Sequence, residues 1–202
     1  IHNPSFILNQ EVEFRFDDSK ITDFLSKDTR IEGYTNRVSL EAIGQTALAV
    51  RGITLTGINP ESENRVTNIK SKIIDGDFFE AGNKRAIVIS KKLADTLDLK
   101  LGSKLISTFT DINGQVTSMN YRISGIYKTN NSMNDLVNVY VDINGLRKMI
   151  AFNKNESNEI AIRVKNTDQI DSVKEDLKEL YGKLSVRRWE EVAPGVAASS
   201  GS

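Results

Sequence analysis

Ile160, Ile162 and Val164 alternate along the chain, and shortly after them Ile170, Val173, Leu177, Leu180 and Tyr181 return at helical spacing. Alternation puts apolar side chains on one face of a strand, while a period near 3.6 puts them on one stripe of a helix. A strand followed at once by an amphipathic helix suggests an α/β layer, in which helix and sheet bury their apolar faces together. Gly182 suits the end of the helix, and Leu184 and Val186 begin another strand.

The N-terminal part repeats this order. Val12, Phe14 and Phe16 alternate over Glu11 to Phe16, and Asp17, Asp18 and Ser19 offer capping oxygens to a short helix carrying Ile21, Phe24 and Leu25. Tyr34, Val38, Leu40 and Ala42 keep one parity, and a second run after the turn Gly44-Gln45-Thr46 completes a long antiparallel hairpin. In that second run the apolar parity changes across Gly52, from Leu48 and Val50 to Ile53 and Leu55, which predicts a β-bulge there. Asn59-Pro60 ends the strand and opens a helix expected over Glu63 to Ile73.

The segment between these ends reads differently. Ala86 to Ile89 form a strand, Ser90 caps the helix that holds Leu93, Ala94 and Leu97, and two alternating runs flank Asp111-Ile112-Asn113-Gly114 as a hairpin. Val137, Val139 and Val141 lead to Asp142, a cap for a helix with Leu146, Met149 and Ile150, and a polar loop follows over Asn153 to Asn158. The expected class is therefore α+β: residues 1–60 and 158–194 form one discontinuous α/β layer, residues 61–157 an inserted β-rich domain, and residues 195–202 a tail or linker.

Composition narrows the function. Lys plus Arg and Asp plus Glu both number 27, so the chain is neutral and has no basic stripe for a phosphate backbone; no nucleic-acid partner is expected. With no Cys and His2 alone among histidines, thiolate sites, His-based metal sites and a Ser-His-Asp relay are not assembled. Asp75-Gly76-Asp77 lacks the spaced acidic series of a calcium loop and reads as a turn. Asp17-Asp18 and Glu190-Glu191 are adjacent pairs, assigned to capping and solvation. Neither glycine-rich phosphate string occurs, so no nucleotide, metal or other cofactor is expected, and no catalytic residue is assigned. No apolar run approaches the length of a spanning helix, no signal peptide precedes the first strand, and Ile1 and the final Ala-Ala-Ser-Ser-Gly-Ser read as the cut points of an excised domain.

Several strings together resemble the extracytoplasmic domain of MacB/LolC-LolE/FtsX-type ABC transporter permeases. They are Gly57-Ile58-Asn59-Pro60, Ile74-Asp75-Gly76-Asp77-Phe78-Phe79, the stretch Ile87 to Lys104, the strand Tyr121 to Tyr127, the return strand Asp135 to Val141, and Trp189 to Pro194, in the family's order. The resemblance implies a porter-like layer built from the two ends and a sabre-like inserted domain. It implies a non-catalytic module of an inner-membrane protein, outside the cytoplasm, that couples ATPase-driven motion to export or lipoprotein release. Its implied partners are a separate cytoplasmic ATPase subunit or domain, a second permease subunit, and a periplasmic or outer-membrane protein. Lipoprotein-releasing members carry a Pro- and Arg-containing hook in the hairpin loop; Asp111 to Met119 here is short and contains neither.

Polar hairpin ends on a rigid scaffold are where recognition is mounted. The expected partner-binding residues are accordingly Asp111, Ile112, Asn113, Gly114 and Gln115 in one loop and Asn130, Asn131 and Asp135 in another. Ile1, Trp189 and Pro194 are expected near the membrane, where an indole ring is accommodated at headgroup level. The alternative reading is a secreted or surface-anchored protein-binding module, with a hydrolase a distant third.

Overall fold

A computed structural model describes residues 5–9, 15–181 and 185–188. His2, Gly182, Glu190-Glu191, the three membrane-proximal candidates Ile1, Trp189 and Pro194, most of the first expected strand and the tail lie outside the described residues.

The N-terminal third contains β1 (Ser5–Asn9), β2 (Phe16–Asp17), α1 (Ser19–Lys27), β3 (Ile31–Gln45), β4 (Val50–Ile58) and α2 (Pro60–Thr67). The middle contains β5 (Ile73–Gly76), β6 (Ala86–Ser90), α3 (Lys91–Leu97), β7 (Lys104–Thr110), β8 (Val116–Tyr127), α4 (Ser132–Asp135), β9 (Asn138–Asp142) and α5 (Ile143–Ile150). The chain returns through β10 (Glu156–Ser157), β11 (Glu159–Val164), α6 (Ile170–Leu180) and β12 (Ser185–Arg188).

The two ends of the chain meet. β1 pairs antiparallel with β11 on one side and β12 on the other, and β11 pairs with the first half of β3, Ile31 to Arg37. On this sheet lie α1 and α6, whose Ile21, Leu25, Ile170, Val173 and Leu177 close over Ile160, Ile162 and Val164 of β11. This is the layer expected from the change of period in the sequence.

At Arg37 the long strand changes partners. Val38 to Gln45 pair with β4, and Ile43 to Gln45 pair also with β7 on the opposite edge. From there a circuit of six strands closes: β3 to β4, β4 to β9 in parallel, β9 to β6, β6 to β8 in parallel, β8 to β7, and β7 back to β3. Closing the ring leaves β6 buried on both faces, with Ile87 and Ile89 in one cluster and Val88 in another, which is why Ala86 to Ile89 read as a continuous apolar run. α3 and α5 add Leu93, Leu97, Leu146 and Ile150 to the larger cluster.

The caps follow from sequence chemistry. The Asn59 side chain accepts from the backbone of Glu61 and Ser62, with Pro60 as the first helical residue; Ser90 accepts from Leu93 N and Asp142 from Gly145 N.

Four expectations are corrected. The register between β3 and β4 runs unbroken through Ile43 opposite Gly52, so no bulge forms there. Leu48 and Val50 break the parity because the hairpin end projects past the core and leaves them 85% and 61% exposed. The hairpin turn lies over Thr46 to Ala49, since Gly44 and Gln45 are still paired within β3. The helix after Asn59 begins at Pro60 and stops at Asn68, which takes a left-handed conformation (φ 55°) before a short 3-10 turn, Ile69–Lys72. Finally, Val38, Leu40, Ala42, Ile53 and Leu55, expected in the terminal layer, share a core with the inserted segment. β3 thus serves both cores, its first half pairing with β11 and its second half with β4.

Candidate functional site

Where β3 passes from one core to the other, buried charge replaces apolar packing. Arg37 donates from Nε and Nη2 to the two carboxylate oxygens of Glu63 at 3.0 and 2.7 Å, and from Nη1 to Glu159 at 2.6 Å. Glu63 is 1% exposed. It comes from α2, which follows the β4 strand, and Glu159 opens β11, so the guanidinium joins three segments in one bidentate-plus-single fork. Burial disfavours the Arg37 charge, but the attraction of Glu63 and Glu159 outweighs it and holds the guanidinium above its ordinary value.

A second cluster lies beside the first. Asp18, 4% exposed, accepts from Ser157 Oγ, from Asn36 Nδ2 at 2.9 Å and from Arg147 Nη2 at 3.3 Å. Arg147 of α5 also donates to the Glu156 carbonyl at 2.9 Å and to Ser157 Oγ at 3.1 Å. Here burial wins over attraction on both sides: it pushes the Asp18 carboxyl up and the Arg147 guanidinium down. The pair is thus a device that fixes how α5 and α1 meet more than a source of stability. Against the expectation of capping and solvation, the Asp18 side chain makes no cap bond and is buried; the capping-type contact belongs to Asp17, which accepts from Ser19 N at 2.9 Å.

Asn158 completes the waist. Its Oδ1 accepts from Ser39 N at 2.8 Å and its Nδ2 donates to Ser39 O at 2.7 Å, so one side chain supplies the two bonds that a neighbouring strand would make just beyond the end of β11 pairing. Sequence reasoning missed Arg37, Glu63, Arg147 and Asn158. A signal was present for Glu63, which shares a helix face with Val66, and for Arg37, which adjoins Val38 in a strand that carries both cores.

The two loops expected to bind partners sit at opposite ends of β8, about 35 Å apart at the usual rise per residue. They do not form one site. In the first, Asp111 Oδ1 accepts from Asn113 N and Gln115 N at 2.8 and 2.9 Å, and Ile112 N donates to the last carbonyl of α5 at 3.3 Å. The loop thus leans toward the waist, beside a groove of about 780 Å³ whose walls include Leu40, Ile43, Phe109, Ile112, Val116 and Phe152. In the second, Asn130 is exposed and Asn131 caps α4 through Asn134 N. Asp135 is buried and accepts from Thr129 N and Oγ1 at 2.9 and 2.7 Å. The structure removes it from the surface set, because its short side chain is used to fold the loop onto itself.

Among the described residues no three His, Cys, Asp or Glu side chains converge as metal ligands, and no helix is long and apolar enough to cross a membrane.

The described residues thus form a mixed α/β fold in which β3 serves two sheets and buried charge lies where it passes between them. Residues 8–180 match the family described as the MacB-like periplasmic core domain, and the chain belongs to it, as a periplasmic or extracellular domain of a MacB-like ABC transporter permease. The fold is similar to the extracellular domain of the noncanonic ABC-type transporter YknZ from Gram-positive bacteria, with TM-score 0.62, 20% identity, and 88% of this chain and 95% of that one covered. It is also similar to the periplasmic region of MacB from Actinobacillus actinomycetemcomitans, with TM-score 0.63, 15% identity, and 96% and 92% covered. No curated protein sequence matches the chain.

Proposed function

We propose that this domain is a non-catalytic lever, carrying ATP-driven movement of the permease's transmembrane helices to export or lipoprotein release outside the membrane. The observation that carries this reading is the waist: Arg37 with Glu63 and Glu159 fastens α2 to β3 and β11, and Asp18 with Arg147 joins the start of α1, in one core, to α5, in the other. A buried ion pair holds one geometry, because sliding the lobes would leave a buried charge unpaired at a cost of several kcal/mol. On this reading the ends of the chain form the porter-like part and the middle the sabre-like part, with the mechanical boundary near Arg37. Ile1, Trp189 and Pro194 then lie toward the membrane.

The partners follow from the same reading: a cytoplasmic ATPase subunit or domain, a second permease subunit, and a periplasmic or outer-membrane protein. The exposed loop ends are the docking points, with Ile112 to Gln115 at one end of β8 and Asn130 and Asn131 at the other. In the parent transporter, Arg147→Met is expected to lower the amount exported per ATP hydrolysed while hydrolysis continues. Export per ATP that matches the parent, in a variant whose lobes are demonstrably loosened, contradicts the lever.

A further inference from the structure

The chain contains two Asn-Gly dipeptides, and the fold treats them oppositely. Asn144-Gly145 opens α5: the Gly145 amide donates to Asp142 Oδ2 at 2.9 Å, Asn144 Oδ1 accepts from Arg147 Nη1 at 3.2 Å, and a Cβ at Gly145 would meet Lys84 Cγ at 3.0 Å. Asn113-Gly114 is at the exposed end of the β7–β8 hairpin, where a Cβ at Gly114 would meet nothing within 4 Å. We propose that Asn113 is a site of spontaneous backbone modification, deamidation through a succinimide, and that Asn144 is protected from the same reaction.

The reaction needs no protein catalyst. Hydroxide removes the Gly114 amide proton, the nitrogen attacks Asn113 Cγ, the Cγ–Nδ2 bond breaks, and ammonia leaves with a proton from water. Water then opens the ring at either carbonyl, giving aspartate or isoaspartate; one amide and one water become one carboxylate and one ammonium, with no redox change. At Asn113 the only brake is the turn itself, in which Gly114 N donates to the Asp111 carbonyl at 3.1 Å and Asn113 N to Asp111 Oδ1. Bonds at an exposed hairpin end open at little cost, whereas freeing Gly145 requires melting the first turn of a core helix. Either product places a second carboxylate beside Asp111. Isoaspartate also lengthens the main chain, so Asp111 can no longer hold both Asn113 N and Gln115 N. The inference does not depend on the lever reading.

The chain is incubated folded at mildly alkaline pH, digested, and followed by peptide mass spectrometry with isoaspartyl methyltransferase labelling. The Asn113 peptide is expected to convert at least about tenfold faster than the Asn144 peptide, the ratio that about 1.4 kcal/mol of extra opening free energy gives. In denaturant the two rates become alike, and Asn113→Gln removes the signal from the hairpin peptide. A ratio below tenfold in the folded chain, or conversion of Asn113 in denaturant alone, overturns the proposal.

Discussion

Replacing Arg147 by Met keeps the aliphatic volume of the side chain and deletes its charge, which isolates what the waist pair does. Asp18 would then be a carboxylate 4% exposed, without a cation. Removing one partner of a buried ion pair costs about 3–5 kcal/mol. Ser157 and Asn36 still donate to Asp18, so the lower end applies, about 3 kcal/mol, or a urea midpoint lowered by about 1 M at a slope near 3 kcal/mol per M. Because burial drives both groups toward their neutral forms, the double variant Asp18→Asn with Arg147→Met should recover most of the loss, leaving about 1 kcal/mol. Equilibrium urea unfolding followed by circular dichroism gives all four corners of the cycle. Additive single losses, or an Arg147→Met midpoint within about 0.3 M of the parent, refute the assignment of this pair as a buried, coupled lock.

Carboxyl titration by NMR should separate two aspartates. Burial raises Asp18, so its contribution favours the fold at low pH and is lost as pH rises from 3.8 through its folded value; the Arg30 bonds lower Asp28, whose contribution is present above 3.8 and lost as pH falls through its folded value. Asp18 titrating at or below Asp28 contradicts this. Asn158→Ala strands Ser39 N–H and C=O and should cost about 1–3 kcal/mol by urea unfolding; a neutral result shows that water replaces the side chain. Gly125→Ala places a Cβ 2.5 Å from the Asp77 carbonyl oxygen, fixed main chain, and should cost about 3 kcal/mol or prevent folding. Gly52→Ala, with open space around it, should stay within about 0.5 kcal/mol of the parent, and a large loss there would revive a special backbone at Gly52.

The fold was legible wherever local chemistry decides. The period change from Ile160 to Tyr181, the caps at Asn59, Ser90 and Asp142, and the turn over Asp111 to Gln115 each depend on residues near one another in sequence. The closed strand circuit was not legible, because the pairing of Ile43 with Thr108 and of Val88 with Tyr140 joins distant segments. The candidate site was hardest to read for the same reason: Asp18 is adjacent to a helix start, which suggests a cap, and nothing local announces Ser157 and Arg147. Gly52 misled because parity assumes a buried face, and the end of the β3–β4 hairpin has none.

A lever requires that the two lobes move as one body. The chain has no Cys, so Thr96→Cys on α3 and Glu175→Cys on α6 allow one spin label per lobe without other changes. Pulsed electron–electron distance measurement should give one narrow distribution in the parent, broadened by Arg147→Met. A broad or multiple distribution in the parent, unchanged by that substitution, would show lobes that already swing freely and would contradict the claim.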